Sequence, residues 1–279
     1  MRFTVYLFLG LLQVHLCLGD TVRRSVTLTI ATANLSDSTS QSYEAPGIRI
    51  LQALKPDIVG IQEFNYKEGT SQDLARRIFG TPFYFSRESG GARLPNGILS
   101  RYPIVAHGQW EDPYVANRCF AWATIAIPGP KPLHVVSVHL LQRHADRRGP
   151  EARHLLQLIR STFPENDYVV LCGDLNISTR NSEALDELTT WFLDDHQPAD
   201  QNGNKNTNAN RNRPYDFVLP NPALAPFHVP TLLAGHAFPD GLIFDTTLWD
   251  PPPPPAKMQD SVDNMQHMPV MKTFTIPIR

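Results

Sequence analysis

Apolar positions along the chain switch repeatedly between two periods. From Val26 to Ala33 they alternate among β-branched neighbours, which predicts a strand. Between Ala45 and Leu54 the spacing lengthens to Ile48, Leu51 and Leu54, one face of a helix that Lys55-Pro56 ends. Asp57–Ile61 reads as a short buried strand running into Gln62-Glu63, and a second helix is expected over Gln72–Phe79. Strands follow at Phe83–Ser86, Asn96–Ser100, Ile104–Trp110, Phe120–Ile127 and Leu133–His139. Residues 147–163 carry Leu155, Leu156, Leu158 and Ile159, a helix packed on a sheet. A buried strand at Tyr168–Cys172, a helix at Ser182–Phe192 and a strand-like Met268–Ile276 complete an α/β pattern.

The stretch between these last two elements is loop-rich. Residues 201–213 place asparagine at 202, 204, 206, 208, 210 and 212. In an extended segment that period puts every amide on one face. A solvated loop, a substrate-facing loop and a weak calcium loop around Asp200, Asn202 and Asn204 all fit. Pro251–Pro255 is expected to run as extended polyproline II, a rigid loop inside the domain.

At the other end, Met1-Arg2 precedes an apolar run from Val5 to Leu18 that closes at Gly19-Asp20. This layout predicts a secretory signal peptide over residues 1–19 and one domain over 20–279. The run is shorter than the roughly 20 residues that span a bilayer, so no stable membrane anchor is expected. The predicted location is therefore secreted or periplasmic, and a monomer is expected. Formal charge is only -2. No strongly basic surface of the kind that dominates nucleic-acid affinity is present, so a phosphate substrate needs a metal and a few local arginines. After export only Cys119 and Cys172 remain; they either pair or, as the apolar run around Cys172 favours, stay free.

The chemistry-bearing residues fall at strand ends. Asn34, Glu63, His139, Asp174 and Asn176 each follow or close an apolar run, where α/β sheets form their ligand crevices. Singly, Glu63 reads as a helix-start carboxylate, His139 as a core histidine and Asp174 as a helix cap. Together they suit phosphate-ester hydrolysis. Glu63 with Asn34 supplies hard oxygen ligands for Mg²⁺, with Mn²⁺ or Ca²⁺ as alternatives. An imidazole can stabilise charge at phosphorus, and a carboxylate or second imidazole can take the proton of attacking water. There is no HExxH, CxxC pair, GxSxG or glycine-rich phosphate loop.

Longer matches carry a resemblance. They are Pro56–Glu63, Asn96–Ile104, Val136–Leu140, Gly173–Asn176, Arg213–Leu219 and Gln266–Val270. In this order the sequence resembles the endonuclease/exonuclease/phosphatase superfamily, which includes secreted deoxyribonucleases, abasic-site endonucleases, sphingomyelinases and inositol phosphatases. It is particularly similar to a bacterial exported branch with an asparagine-rich loop before Tyr-Asp. The resemblance implies a four-layer sandwich, two mixed β-sheets flanked by helices, with one cleft. It implies Glu63 as main metal ligand beside Asn34, Asp174 positioning water and Asn176 holding a phosphate oxygen. His267, oriented by Asp216, becomes the central imidazole and His139 the second. Asn96, Arg213 and Gln266 are candidate substrate contacts. Two positions depart from the pattern: Gln266 stands where most relatives have aspartate, and Asn96 where some nucleases have glutamate. The resemblance implies a phosphodiesterase acting on nucleic acid; a phospholipid head group or small phosphate ester is the second substrate class. A non-catalytic secreted binding module is the reading from another class.

Overall fold

A computed structural model describes residues 24–278, so the predicted signal peptide lies outside the described residues. In chain order the first half contains β1 (Ser25–Ala33), α1 (Ala45–Leu54), β2 (Ile58–Ile61), α2 (Ser71–Phe79), β3 (Tyr84–Arg87) and β4 (Gly97–Ser100). Then come β5 (Ile104–Glu111), β6 (Cys119–Ile125), β7 (Leu133–His139), α3 (Ala145–Thr162), β8 (Tyr168–Asp174) and α4 (Glu183–Thr189). The last part holds β9 (Asp216–Pro220), β10 (His228–Val229), β11 (Thr231–Leu233), β12 (His236–Phe238), β13 (Leu242–Ile243) and β14 (Val270–Pro277).

Two mixed sheets pack face to face. One has the order β10-β14-β1-β2-β4-β3, with β13 beside β14, and the other runs β5-β6-β7-β8-β9. Their inner faces share an apolar core including Leu28, Ile30, Val135, Val170 and Phe274. The outer face of the first sheet is covered by α1 and α2 through Leu51, Leu54, Leu74 and Ile78. The outer face of the second is covered by α3 and α4 through Leu155, Ile159, Leu185 and Leu188. The result is the four-layer sandwich. Among the described residues no helix is long and apolar enough to cross a membrane.

Local signals explain the element ends. Lys55 takes a left-handed conformation and its N–H returns to Leu51, closing α1. Thr70 and Asp73 form a capping box that starts α2. Ser182 caps α4, which is shorter than expected because the chain turns after Thr189. β9, preceded by Pro214 and ending on Pro220, is not among the expected strands; it lies at a sheet edge, where proline is tolerated.

Between the sheets, Gly60 on β2 faces Cys172 on β8 so closely that an added Cβ would lie 2.3 Å from the Cys172 Cβ. Cys172 and Cys119 are both free. Burial pushes the Cys172 thiol up to about 12, so it packs as a small apolar group. Beside this contact Gln62 crosses the interface: it accepts from Thr32 Oγ1 at 3.1 Å and donates to Ser137 Oγ at 3.0 Å. The Pro251–Pro255 segment departs from the expected polyproline helix. Its first and last X-Pro bonds, Asp250-Pro251 and Pro254-Pro255, are cis, and a turn returns the Ala256 N–H to Pro253 at 3.1 Å.

Candidate active site

The ends of β1, β2, β7 and β8 meet at one edge of the sandwich. A cleft of about 310 Å³ opens there, and Asn34, Glu63, His139, Asp174, Asn176 and His267 all line it. Parallel pairing sets part of this arrangement. β1 pairs with β2 as far as Ala33 and Ile61, so Asn34 and Glu63 leave the sheet side by side. β7 and β8 likewise pair His139 directly with Asp174. Glu63 and Asn176 both have φ of 51°, a left-handed conformation uncommon outside glycine that turns each chain sharply at the cleft.

Asp174 is the hub. Its Oδ2 lies 3.3 Å from His139 Nε2 and 3.6 Å from His267 Nε2, and it accepts from Asn34 Nδ2 at 3.2 Å. Its Oδ1 accepts the Asn176 N–H at 2.8 Å. Burial raises the carboxyl to about 7, with His267 pulling the other way and Asp216 adding to the rise. Asp216 sits behind His267 rather than in the cleft, and its Oδ2 accepts from His267 Nδ1 at 2.8 Å. Burial alone would lower His267; the Asp216 and Asp174 carboxylates outweigh it and hold the imidazole at about 9. His139 is driven the opposite way. Burial, then Arg118 and His267, pushes it well below its ordinary value, so it is neutral.

The asparagine-rich segment is largely a self-bonded loop that also reaches the cleft. Asp200 Oδ1 accepts the N–H groups of Asn202 and Asn204, and its Oδ2 takes Arg211 at 2.6 Å. That carboxylate is fully engaged, which argues against a calcium loop. Asn208 Oδ1 receives the N–H groups of Asn212 and Arg213, while Asn208 and Asn210 face the cleft. The loop is stitched to the His267 segment: Ala209 N–H donates to Gln266 O and Met268 N–H to Thr207 O. Thr207 Oγ1 donates to Asp216 Oδ2 at 2.6 Å and accepts the N–H groups of Tyr215 and Asp216.

The three candidate substrate contacts divide. Gln266 lines the cleft, with a buried Nε2 that has no partner among the described residues. Arg213 is exposed, outside the cleft lining, and its guanidinium donates to Tyr215 Oη at 3.0 Å. Asn96 does not reach the cleft: it is fully buried and donates to Cys119 O at 2.7 Å, a role set by packing. Three further residues, not singled out from the sequence, shape the site. Tyr215 lies with its ring 5.5 Å from that of His267, and Ser36 donates to Glu63 Oε2. Arg118, nearly buried, donates to the carbonyls of His139 and Leu140. Tyr215 was adjacent to a motif residue and open to recognition; Ser36 and Arg118 act only through the fold.

Two donor sets could hold a cation. Ligand atoms of Asp174, Asp216 and His267 lie within 4.8 Å of one another. His267, however, bridges two carboxylates and is held protonated, and an imidazolium has no lone pair to give. Asn34 and Glu63 fit a hard divalent ion better. Asn34 Oδ1 is buried without a partner among the described residues, and its amide is fixed by the bond to Asp174. Glu63 Oε1 accepts no hydrogen bond among the described residues and lies 4.0 Å from His139 Nδ1.

Solved structures share this architecture. An endonuclease/exonuclease/phosphatase from Beutenbergia cavernae aligns over 90% of this chain and 72% of its own, at 16% identity and a TM-score of 0.62. An AP endonuclease from Archaeoglobus fulgidus aligns over 88% and 99%, at 17% identity and 0.58. A humanized D. rerio TDP2 aligns over 89% and 98%, at 19% identity and 0.58. No curated protein matches the sequence significantly. At these identities the structural likeness establishes the fold alone. The sequence profile described as the Endonuclease/Exonuclease/phosphatase family matches residues 48–253, from α1 past the asparagine loop and Asp216. That match takes in most of the chain, and the remaining site residues Asn34 and His267 complete the same cleft: the chain belongs to the endonuclease/exonuclease/phosphatase family, whose members are phosphoesterases that typically use divalent metals.

Proposed function

We propose that this chain is an exported, divalent-metal-dependent phosphodiester hydrolase that acts on nucleic acid. The observation that carries the reading is the placement of His139 and His267 on one oxygen of Asp174, beside Glu63 and Asn34. Glu63 and Asn34 would hold the metal, Mg²⁺ by the hardness of its donors, and the ion would polarise a phosphate oxygen. Asp174, with its carboxyl near 7, is poised to take a proton from attacking water. His267 is charged and offers its Nε2–H to the negative charge that grows on phosphorus, while Asp216 fixes the ring. Asn176 spends one amide N–H on Leu140 O at 3.0 Å and presents the other to a phosphate oxygen. Neutral His139 supplies a second Nε2 contact.

A second substrate class, a phospholipid head group or small phosphate ester, is favoured by one feature. The cleft is compact, and amides of Gln142, Asn208, Asn210, Asn264 and Gln266 line it where a nuclease would place cations.

One set of incubations tests both. The protein is given plasmid DNA, RNA, sphingomyelin and a generic phosphodiester, each with Mg²⁺, with Ca²⁺ or with chelator. Metal-dependent cleavage of nucleic acid is expected, and His139→Ala and Asp174→Ala should abolish it. Cleavage surviving both substitutions would overturn the site. Turnover of sphingomyelin or the small ester alone would select the second substrate class, and turnover of nothing would leave a binding module. Export is tested by expressing the full sequence and mapping the N-terminus of the released protein.

A further inference from the structure

Away from the catalytic cleft, β9 ends at Pro220 and β14 passes beneath it. A cavity of about 270 Å³ opens there, walled by Leu193, Pro220, Pro222 and Pro226, with Lys272 and His228 lining it. Lys272 interrupts an apolar period. Side chains on a strand alternate between faces, so Lys272 shares the inter-sheet face with Val270, Phe274 and Ile276. The register pairs His228 with Phe274, which puts the imidazole diagonally beside Lys272.

Among the described residues neither nitrogen has a hydrogen-bond partner. Lys272 is 1% exposed. Among the described residues its ammonium makes no hydrogen bond or ion pair; Asp194, the carboxylate with the largest influence on it, is taken by Arg180. His228 Nε2 is buried, also without a partner. The ring is held in place by stacking on His196, centroids 4.2 Å apart, and His196 is anchored to Asp240 at 2.8 Å. Burial lowers Lys272 to about 8, which leaves it charged at neutral pH. Burial, then His196 and Lys272, lowers His228 to about 4, which leaves it neutral. A buried charge without a counter-ion is costly, and such groups in native proteins normally have one.

We propose that this cavity is a second ligand site that binds a small organic monocarboxylate, its oxygens on Lys272 Nζ and His228 Nε2 and its apolar body against the proline wall. Two donors match the two oxygens of one carboxylate; a phosphate dianion would need more. Asp195, exposed at the rim, and Asp194 behind it also oppose a second negative charge. The wall of leucine and prolines suits an aliphatic or aromatic body and offers nothing to a hydrophilic ion.

The test is calorimetric titration of the protein with butyrate, benzoate and inorganic phosphate. One-to-one binding of a carboxylate in the millimolar range is expected, with phosphate at least about tenfold weaker. Lys272→Met should remove carboxylate binding while unfolding at or above the wild-type temperature, since it deletes an unsatisfied charge. ¹H–¹⁵N spectra of the unmodified protein provide a reading that needs no variant: benzoate should shift signals around His228 and leave those of Glu63 and His139 in place. Absence of carboxylate binding, shifts at the catalytic cleft instead, phosphate binding of equal strength, or a markedly less stable Lys272→Met protein would each overturn the proposal.

Discussion

Nδ1 of His267 donates to Oδ2 of Asp216 at 2.8 Å, and this bond fixes both the direction and the charge of the imidazole. His267 is held at about 9, above its ordinary 6.5. A raised value means the folded state binds the proton more tightly. The stabilisation is therefore complete below about 6.5 and lost as pH rises through about 9. Asp174, raised to about 7, acts in the same sense only below that pH. Lys272, lowered to about 8, acts in the opposite sense above it, in wild type and variant alike. Urea unfolding of metal-free wild type and Asp216→Asn should thus give a difference that shrinks between pH 7 and 9. An unchanged difference would remove the ion pair as its cause.

Glu63 and Asp174 are both buried carboxylates in the cleft, yet their loss should read differently. Glu63→Gln keeps the shape and weakens a ligand, so the metal concentration for half-maximal rate should rise while the saturated rate falls less. Asp174→Asn keeps most contacts and removes the base, so kcat should fall by about 10²–10⁴ at any metal concentration. Steady-state rates across a metal titration separate the two; identical profiles would refute the division of labour.

Thr207 holds the asparagine loop to the catalytic pair through one hydroxyl. Thr207→Val keeps the volume but strips Asp216 Oδ2 of a donor and the N–H groups of Tyr215 and Asp216 of their acceptor. The expected cost is about 1–3 kcal/mol of unfolding free energy, together with reduced turnover. Denaturant curves check the first and initial rates the second.

Gly60 should tolerate no side chain. Gly60→Ala would put a Cβ 2.3 Å from that of Cys172, forcing the sheets apart at a cost of about 1–3 kcal/mol. Cys172→Gly in the same protein removes the opposing atom, so the double variant should recover part of that loss. A thermal-unfolding cycle of the four proteins measures the coupling.

Much of the fold was legible. The bounds of α1 and β7 agree with the apolar pattern to the residue, because α1 packs a single face at helical spacing and β7 is buried along its whole length. Glu63, His139 and Asp174 were marked by standing where apolar runs stop, and the structure brings them to one cleft. Asn96 was a candidate only through the resemblance, and packing turns it to Cys119 O. Asp216 and His267 were reached through resemblance, since 51 residues separate them and no local pattern records their bond.

The sequence by itself determined the helices and the strands from β1 to β8 and β14, and which polar residues sit at their ends; the short strands β9 to β13 were not legible in it. Period and burial are local properties, written into neighbouring positions. Tertiary structure alone decided that two imidazoles share one oxygen of Asp174, that the asparagine loop ends on Asp216 through Thr207, and that Lys272 and His228 face the same cavity. Those relationships join residues far apart in the chain, and only the packing of one sheet on the other fixes them.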